Sequence, residues 1–234
     1  MIFSKKLLQG ILLKRYKRFF ADIDYNGQQV TAHVPNTGSL KSCLFANQKC
    51  YFSESDNPNR KLKYTLEILE TPTGLVGVNT QIPNMLVKQA LEKGFLEHWK
   101  KFDIIKPEFK LSPETRIDFK LENSQSGENH FIEVKNVSLM EGGRALFPDA
   151  VTTRGQKHLK ELMELKSQGF GAEIVFLIQR EDVNCFQAAR DIDPTYADLL
   201  KQAHQAGVIV TPIVCHLSSN EITLKKDLLP VEFV

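Results

Sequence analysis

Asp118, Glu133 and Lys135 are the residues whose types and spacing most readily make a catalytic centre. Asp118 precedes Glu133 by fifteen positions, and Glu133 and Lys135 flank Val134. Both groups lie in segments that read as β-strands, residues 115–121 and 130–137. Side chains alternate faces along a strand. That parity sends Ile117 and Phe119 one way and Arg116, Asp118 and Lys120 the other. It likewise puts Ile132 and Val134 inward and Phe131, Glu133 and Lys135 on the opposite face. If the two strands are neighbours, two carboxylates and an ammonium converge over a hydrophobic core. Two acids can hold a hard divalent cation such as Mg²⁺, which keeps several of its waters. A nearby lysine can orient the attacking water or offset charge that builds on a phosphate. This is the equipment of a metal-dependent phosphodiesterase; the competing reading is a cross-strand ion-pair ladder on a hairpin.

The same pattern occurs a second time: Asp149 is followed fifteen positions later by Glu164, with Lys166 two beyond it. Leu159, Leu162, Met163 and Leu165 follow helical spacing there. Residues two apart on a helix do not face each other, so only the strand-borne copy can converge.

The elements that must position these residues fall into two groups. The first third reads as all-β. Residues 21–25 and 30–34 alternate on either side of Asn26-Gly27, the strongest short-range hairpin signal. Further strands are expected at 49–53, 61–70 and 75–78, with turns at Asn57-Pro58-Asn59 and Thr71-Pro72-Thr73-Gly74. Five short strands without a helix suit a small closed barrel, most economically an OB-fold over residues 1–82. From residue 83 the pattern changes. A helix over 83–93, with Met85, Leu86, Ala90 and Leu91 inward and Gly94 as its stop, precedes three strands. A helix (153–166), a strand (173–179), a helix (194–205) and strands at 208–215 and 221–224 follow. This αβββαβ succession with a mixed central sheet, over 83–234, is that of restriction-endonuclease-like domains. Ser124-Gln125-Ser126-Gly127 joins the two acid-bearing strands as a hairpin turn.

Charge is unevenly divided. Residues 1–82 hold 11 basic and 6 acidic side chains, and residues 83–234 hold 19 and 22. Such asymmetry points to a polyanion-binding N-terminal part. Lys14, Tyr16, Arg18 and Phe20 share one face if the strand carrying them runs uninterrupted. Cations that track a backbone, with aromatics that stack on bases, would make a nucleic-acid platform. Arg15, Lys17, Arg60, Lys61 and Lys63 extend it. In the alternative arrangement Tyr16 and Phe20 pack into the barrel. Cys43, Cys50, Cys185 and Cys215 form no C-x-x-C pair and no zinc spacing. No apolar run reaches a membrane span of about 18 residues, and residues 7–13 do not read as a secretory signal. A cytoplasmic protein without membrane attachment is expected; the oligomeric state is left open.

Several segments resemble one known family. The run Phe147-Pro148-Asp149-Ala150-Val151-Thr152-Thr153-Arg154-Gly155-Gln156-Lys157-His158-Leu159 is similar to the signature of the sugar fermentation stimulation protein A family. So are Arg15-Tyr16-Lys17-Arg18-Phe19, Pro35-Asn36-Thr37-Gly38, and Arg116-Ile117-Asp118-Phe119 followed by Ile132-Glu133-Val134-Lys135. The resemblance implies an N-terminal OB-fold, a C-terminal domain of the PD-(D/E)xK nuclease type, DNA binding of little sequence preference, and a link to regulation of maltose and other sugar use. Ile117 stands where the nuclease pattern has proline, a position without chemistry. On this resemblance Asp118, Glu133 and the Val134 carbonyl hold Mg²⁺ or Mn²⁺, and Lys135 positions water. Arg154, Gln156, Lys157 and His158, at a helix N-terminus that is itself an anion site, grip phosphate or orient the scissile strand. Glu92 is a candidate third acid. Three functions follow: a metal-dependent nuclease delivered to single- or double-stranded DNA by the OB domain; a non-catalytic DNA-binding transcriptional regulator that retains the nuclease fold; or a module for another polyanion, RNA or an acidic membrane surface. The intact acid pair and lysine favour the first.

Overall fold

The computed structural model describes residues 1–112 and 115–233. Its first part contains β1 (Leu8–Tyr16), β2 (Phe20–Tyr25), β3 (Gln28–His33), β4 (Lys49–Glu54), β5 (Tyr64–Thr71) and β6 (Gly74–Gly77). They pair in the order β3-β2-β1-β4-β5, and β5 returns to β3 through Ala32↔Tyr64 and His33↔Thr65. The result is a five-stranded closed barrel of OB topology, with β6 added outside β5. Closure removes the exposed strand edges that an open sheet of this size would carry. Ile23, Ala32, Phe52 and Leu66, all fully buried, fill its interior. Asn26 (φ 54°) and Gly27 (φ 78°) form the β2–β3 turn, where both central residues take the positive φ that a two-residue hairpin of this twist requires.

The strand expected through residues 14–20 is broken. Lys17 (φ 46°) and Arg18 (φ 62°) turn the chain, so β1 ends at Tyr16 and β2 begins at Phe20. The hairpin nonetheless sets Tyr16 opposite Phe20 and Lys14 opposite Asp22, and residues directly opposite one another share a face.

The second part holds α1 (Ile82–Glu92), β7 (Ile104–Lys110), β8 (Arg116–Glu122), β9 (Asn129–Val137), β10 (Leu139–Glu141), β11 (Arg144–Phe147), α2 (Thr153–Ser167), β12 (Gly171–Ile178), β13 (Cys185–Ala188), α3 (Pro194–Gln205), β14 (Ile209–Leu217), β15 (Ile222–Leu224) and β16 (Val231–Glu232). The main sheet has the order β15-β14-β12-β9-β8-β7. β7, β8 and β9 form an antiparallel meander, whereas β12 runs parallel to both β9 and β14. One face packs on α1, with Leu86, Phe119, Ile132, Val134 and Val175 in that core. The other packs on α2 and α3, with Phe131, Leu159, Ile174, Phe176 and Leu200. Met85, expected on the inner side of α1, is 44% exposed, while Val87 is buried in its place. A small second sheet, β10-β11-β13-β16, was not legible in the sequence. Its strands are two to four residues long, too short for alternation to register.

The barrel touches the second part through the loop after β3. Arg15 donates to the carbonyls of Asn36 (2.7 Å), Gly38 (2.9 Å) and Ser39 (3.3 Å). The Ser39 amide, so positioned, donates to Asp149 Oδ2 at 2.7 Å. Gly38 is seated against that carboxylate, for a Cβ there would stand 2.2 Å from Asp149 Oδ2. Gly38→Ala should therefore displace Asp149 and lose the Ser39 contact, a charge-assisted hydrogen bond of about 1.5–3 kcal/mol. Thermal melts should show a fall of several degrees. Asp149→Ala in the same background should show little further loss, because both changes break one contact; additive losses would contradict this.

Candidate metal-dependent active site

The acid-bearing strands are neighbours, but simple alternation fails at Asp118. Phe119 pairs with Ile132 as the last rung of the β8–β9 ladder. Ile117 and Phe119, two apart, enter different cores, Ile117 that of α2 and α3, Phe119 that of α1. Their partners on β7 behave alike: Phe109, opposite Ile117, packs against the α2–α3 core, while Ile105, opposite Leu121, packs against the α1 core. Glu108 lies between them with φ 50°. The β7–β8 hairpin thus rotates about its axis at Asp118, and the expectation that Ile117 and Phe119 share a face is corrected.

That rotation puts Asp118 where β8 leaves β9. Its Oδ2 accepts the Val134 amide at 2.7 Å, and its Oδ1 accepts from Asn84 Nδ2 of α1 at 2.7 Å. A side chain thus satisfies the backbone donor that the departing strand no longer serves. In an extended strand the N–H and C=O of one residue leave on the same side, so the Val134 carbonyl leaves β9 on the same edge as that amide.

Glu133, buried at 4% exposure, lies on the α2 face. Its Oε1 accepts from Lys135 Nζ at 2.6 Å and from His158 Nδ1. Lys135 Nζ is also 3.1 Å from His158 Nδ1. Arg154 Nε donates to His158 Nε2 at 3.4 Å. With Nε2 accepting, the imidazole proton lies on Nδ1 and is donated to Glu133. Among the described residues, Glu133 Oε2 receives no hydrogen bond.

The two acids are driven apart electrostatically. Burial, and then the charge of Glu133, raise the Asp118 pKa from 3.8 to about 6 against the opposing bonds from Val134 and Asn84 and the charge of Lys135. Burial also raises Glu133, but the His158 hydrogen bond and Lys135 outweigh it and hold that carboxyl below its usual value. One acid has cationic company and stays ionised; the other bears the cost of its neighbour's charge. This is negative charge in excess of what the protein neutralises, and a divalent cation would relieve it.

Other expected residues divide in three ways. Arg154 and Lys135 line a cleft of about 410 Å³ together with Asn36, Thr37, Gly38 and Asp149 of the interdomain contact. Lys17, Arg18, Arg60, Lys61 and Lys157 are exposed, although Arg60 donates to Thr65 Oγ1 at 2.7 Å and Lys157 lies 3.6 Å from Glu161. The remaining residues are engaged within the chain or lie away from the acids. Arg15 spends its donors on the Arg18 carbonyl and the 36–39 loop, and so builds that loop. His158 is 6% exposed and serves Glu133. Gln156 Nε2 is committed to Asp193, at 2.9 and 3.1 Å, the residue that caps α3. Glu92 is exposed, 3.5 Å from Lys88, and about 12 Å along α1 from Asn84 at the helical rise. Tyr16 and Phe20 stack on each other at 5.4 Å, and Tyr16 Oη donates to the buried Asp22. Lys14 lies 3.3 Å from Asp22 and Lys63 pairs with Glu54. Asn84 and the Asp149–Ser39 contact were missed. Neither has a local signal, since each depends on a partner more than thirty residues away.

The raised Asp118 pKa fixes the sign of a stability effect. A folded-state value of about 6 against 3.8 means the folded protein holds this proton more tightly. The stability it confers is complete below about pH 4 and lost as pH rises through about 6. Asp118→Asn, neutral throughout, should escape that loss. In chelator, the stability of the variant relative to the parent should shift in the variant's favour by about 2–3 kcal/mol between about pH 4 and pH 8, on top of a pH-independent loss from the one donor, Val134 N–H or Asn84 Nδ2, that an amide cannot accept. Thermal melts across this range check it, and a difference that does not change with pH would contradict it.

Comparison with known proteins agrees with this architecture. Residues 13–78 match the family model described as the SfsA N-terminal OB domain, and residues 81–221 match the sugar fermentation stimulation protein RE domain. A sugar fermentation stimulation protein homolog of Bdellovibrio bacteriovorus is 56% identical over 242 aligned residues, covering 99% of this chain and 100% of that one. The homolog of Shewanella halifaxensis is 46% identical, covering 97% and 98%. The structure of Pyrococcus furiosus SfsA in complex with Ca²⁺ superposes with a TM-score of 0.88 at 31% identity, over 99% of this chain and 98% of that one. With both parts matched and relatives aligned over almost their full lengths, the chain belongs to the sugar fermentation stimulation protein (SfsA) family.

Proposed function

We propose that this protein is a divalent-metal-dependent nuclease that acts on DNA with little sequence preference. The observation that carries the reading is the acid pair at the β8–β9 split. Asp118 is raised to about 6 by burial and by the charge of Glu133, and Glu133 has Oε1 held by Lys135 and His158 while Oε2 receives no hydrogen bond among the described residues. All-oxygen donors of this kind suit Mg²⁺, Mn²⁺ or Ca²⁺, and the Pyrococcus furiosus relative was solved with Ca²⁺.

Asp118 and Glu133 would hold the ion with the Val134 carbonyl beside them. Bound there, it would polarise a phosphoryl oxygen and acidify a water. Lys135 is positioned by Glu133 and His158 to donate to the attacking water or to the phosphate oxygens. His158 fixes Glu133 in one orientation, and Arg154 fixes the imidazole tautomer while lining the cleft. The cleft between the 36–39 loop of the barrel and the start of α2 is lined by Lys135 and Arg154 and would give the phosphodiester chain a path along those two cations. Lys17 and Arg18, exposed on the β1–β2 turn, supply charge that is not sequence-selective. The acid pair with its lysine favours cutting over a regulator that only binds DNA, and the link to sugar use is a phenotype that the chemistry does not specify.

The test is incubation with a panel of single-stranded, duplex and flapped DNA, and RNA, with and without Mn²⁺. Metal-dependent DNA cleavage is expected, falling by at least about 10²-fold in Asp118→Ala and Lys135→Ala, with binding retained. Binding should weaken by about 0.9 log unit per phosphate contacted for each tenfold rise in salt. DNA binding without metal-dependent cutting would replace this reading with the non-catalytic regulator, and a preference for RNA would replace the substrate.

A further inference from the structure

Glu173 is fully buried, at 0% exposure, on the α1 face of the sheet. Its Oε2 accepts from His130 Nε2 at 2.8 Å, Trp99 Nε1 at 2.9 Å and His98 Nε2 at 3.1 Å, and its Oε1 accepts from Thr211 Oγ1 at 2.5 Å. Among the described residues no lysine or arginine reaches it. A buried carboxylate is ordinarily paired with a cation or bound to a metal. Among the described residues, two imidazoles are the groups that can answer its charge.

We propose that His98, His130 and Glu173 form a binding site for a transition-type divalent cation of the Zn²⁺ class, separate from the acid pair. One ligand atom from each lies within 4.8 Å of the others. Zinc bonds of about 2.0–2.2 Å to nitrogen and oxygen place tetrahedral ligand atoms roughly 3.3 Å apart. The observed 2.8 and 3.1 Å separations from Glu173 Oε2 therefore need to open by only a few tenths of an ångström. Two imidazole nitrogens with one carboxylate oxygen select zinc-like ions over Mg²⁺ or Ca²⁺, which take all-oxygen sets.

The surroundings hold these ligands in place. The His130 ring lies against bare backbone at Gly171, where a Cβ would stand 2.1 Å from Nδ1. Trp99 and Thr211 orient the carboxylate, as groups behind metal ligands commonly do. The His98 side chain is 37% exposed, which gives an ion an entry path. His98 sits on the one-turn helix Glu97–Trp99 between α1 and β7, His130 on β9 and Glu173 on β12. A bound ion would therefore staple the α1–β7 connection to the sheet. His130 shares the core face of Ile132, opposite to that of Glu133, and is about 10 Å from Glu133 along the strand.

The test uses the full chain carrying Asp118→Asn, so that the acid pair does not compete, stripped with chelator and then titrated with Zn²⁺ and with Co²⁺. One equivalent should bind, raise the melting temperature and give the visible bands of near-tetrahedral Co²⁺, with millimolar Mg²⁺ unable to displace it. His98→Ala, or His98→Gln should the first variant fold poorly, should weaken binding at least tenfold. Absence of stoichiometric binding, or equal affinity in the folded His98 variant, would overturn the site and leave a hydrogen-bonded buried carboxylate. Neither result bears on the nuclease reading.

Discussion

The hydrogen bond from the Val134 amide to Asp118 Oδ2 joins the fold to the chemistry. Where β8 rotates away from β9, the amide of Val134 loses its ladder partner, and an unpaired buried donor costs about 1–3 kcal/mol. Asp118 supplies the missing acceptor. The same contact fixes the Asp118 carboxylate where the charge of Glu133 acts on it. A β8 that stayed paired through residue 117 would satisfy the backbone and close the gap. The irregularity of the β7–β8 hairpin, marked by Glu108 at φ 50°, is therefore what makes room for a site.

Around this gap the two acids are deliberately unequal. Glu133 is held ionised by Lys135 and by the Arg154–His158 relay. Asp118 has only neutral donors, Asn84 and Val134, so it carries the repulsion. On the proposed reading, stability and ion binding pull in opposite directions at one residue, as at many functional sites. The long-range contact of Asp149 with the Ser39 amide adds the barrel loop as the other wall of the cleft. Two sequence segments separated by about a hundred positions, Pro35–Gly38 and the run from Phe147, thus prove to be one structural feature.

The elements legible in the sequence were those with local signals. Asn26-Gly27 announced its hairpin, the five short strands announced a barrel, and the αβββαβ order announced the mixed sheet. That the strands carrying Asp118 and Glu133 are neighbours was legible from a four-residue turn, Ser124–Gly127. What failed depended on distant partners. Alternation could not foresee the rotation at Asp118. Lys17-Arg18 turns the chain without Gly or Asn to signal it, so the basic stretch read as one strand. Gln156 and Arg15 read as ligands by type, and their intrachain partners, Asp193 and the 36–39 loop carbonyls, come from distant segments that no local signal announces. His98, His130 and Glu173 come from three separate segments, so no spacing rule could assemble them.

The central claim is that Asp118 and Glu133 share one divalent ion. Crystals soaked in Mn²⁺ test it most directly, through anomalous diffraction at the manganese edge. The account predicts a single strong peak at the β8–β9 split, about 2.2 Å from a carboxylate oxygen of each acid, and its disappearance in Asp118→Asn. A peak bound by only one of the two acids, or none at the split while Mn²⁺ occupies other positions, would contradict it.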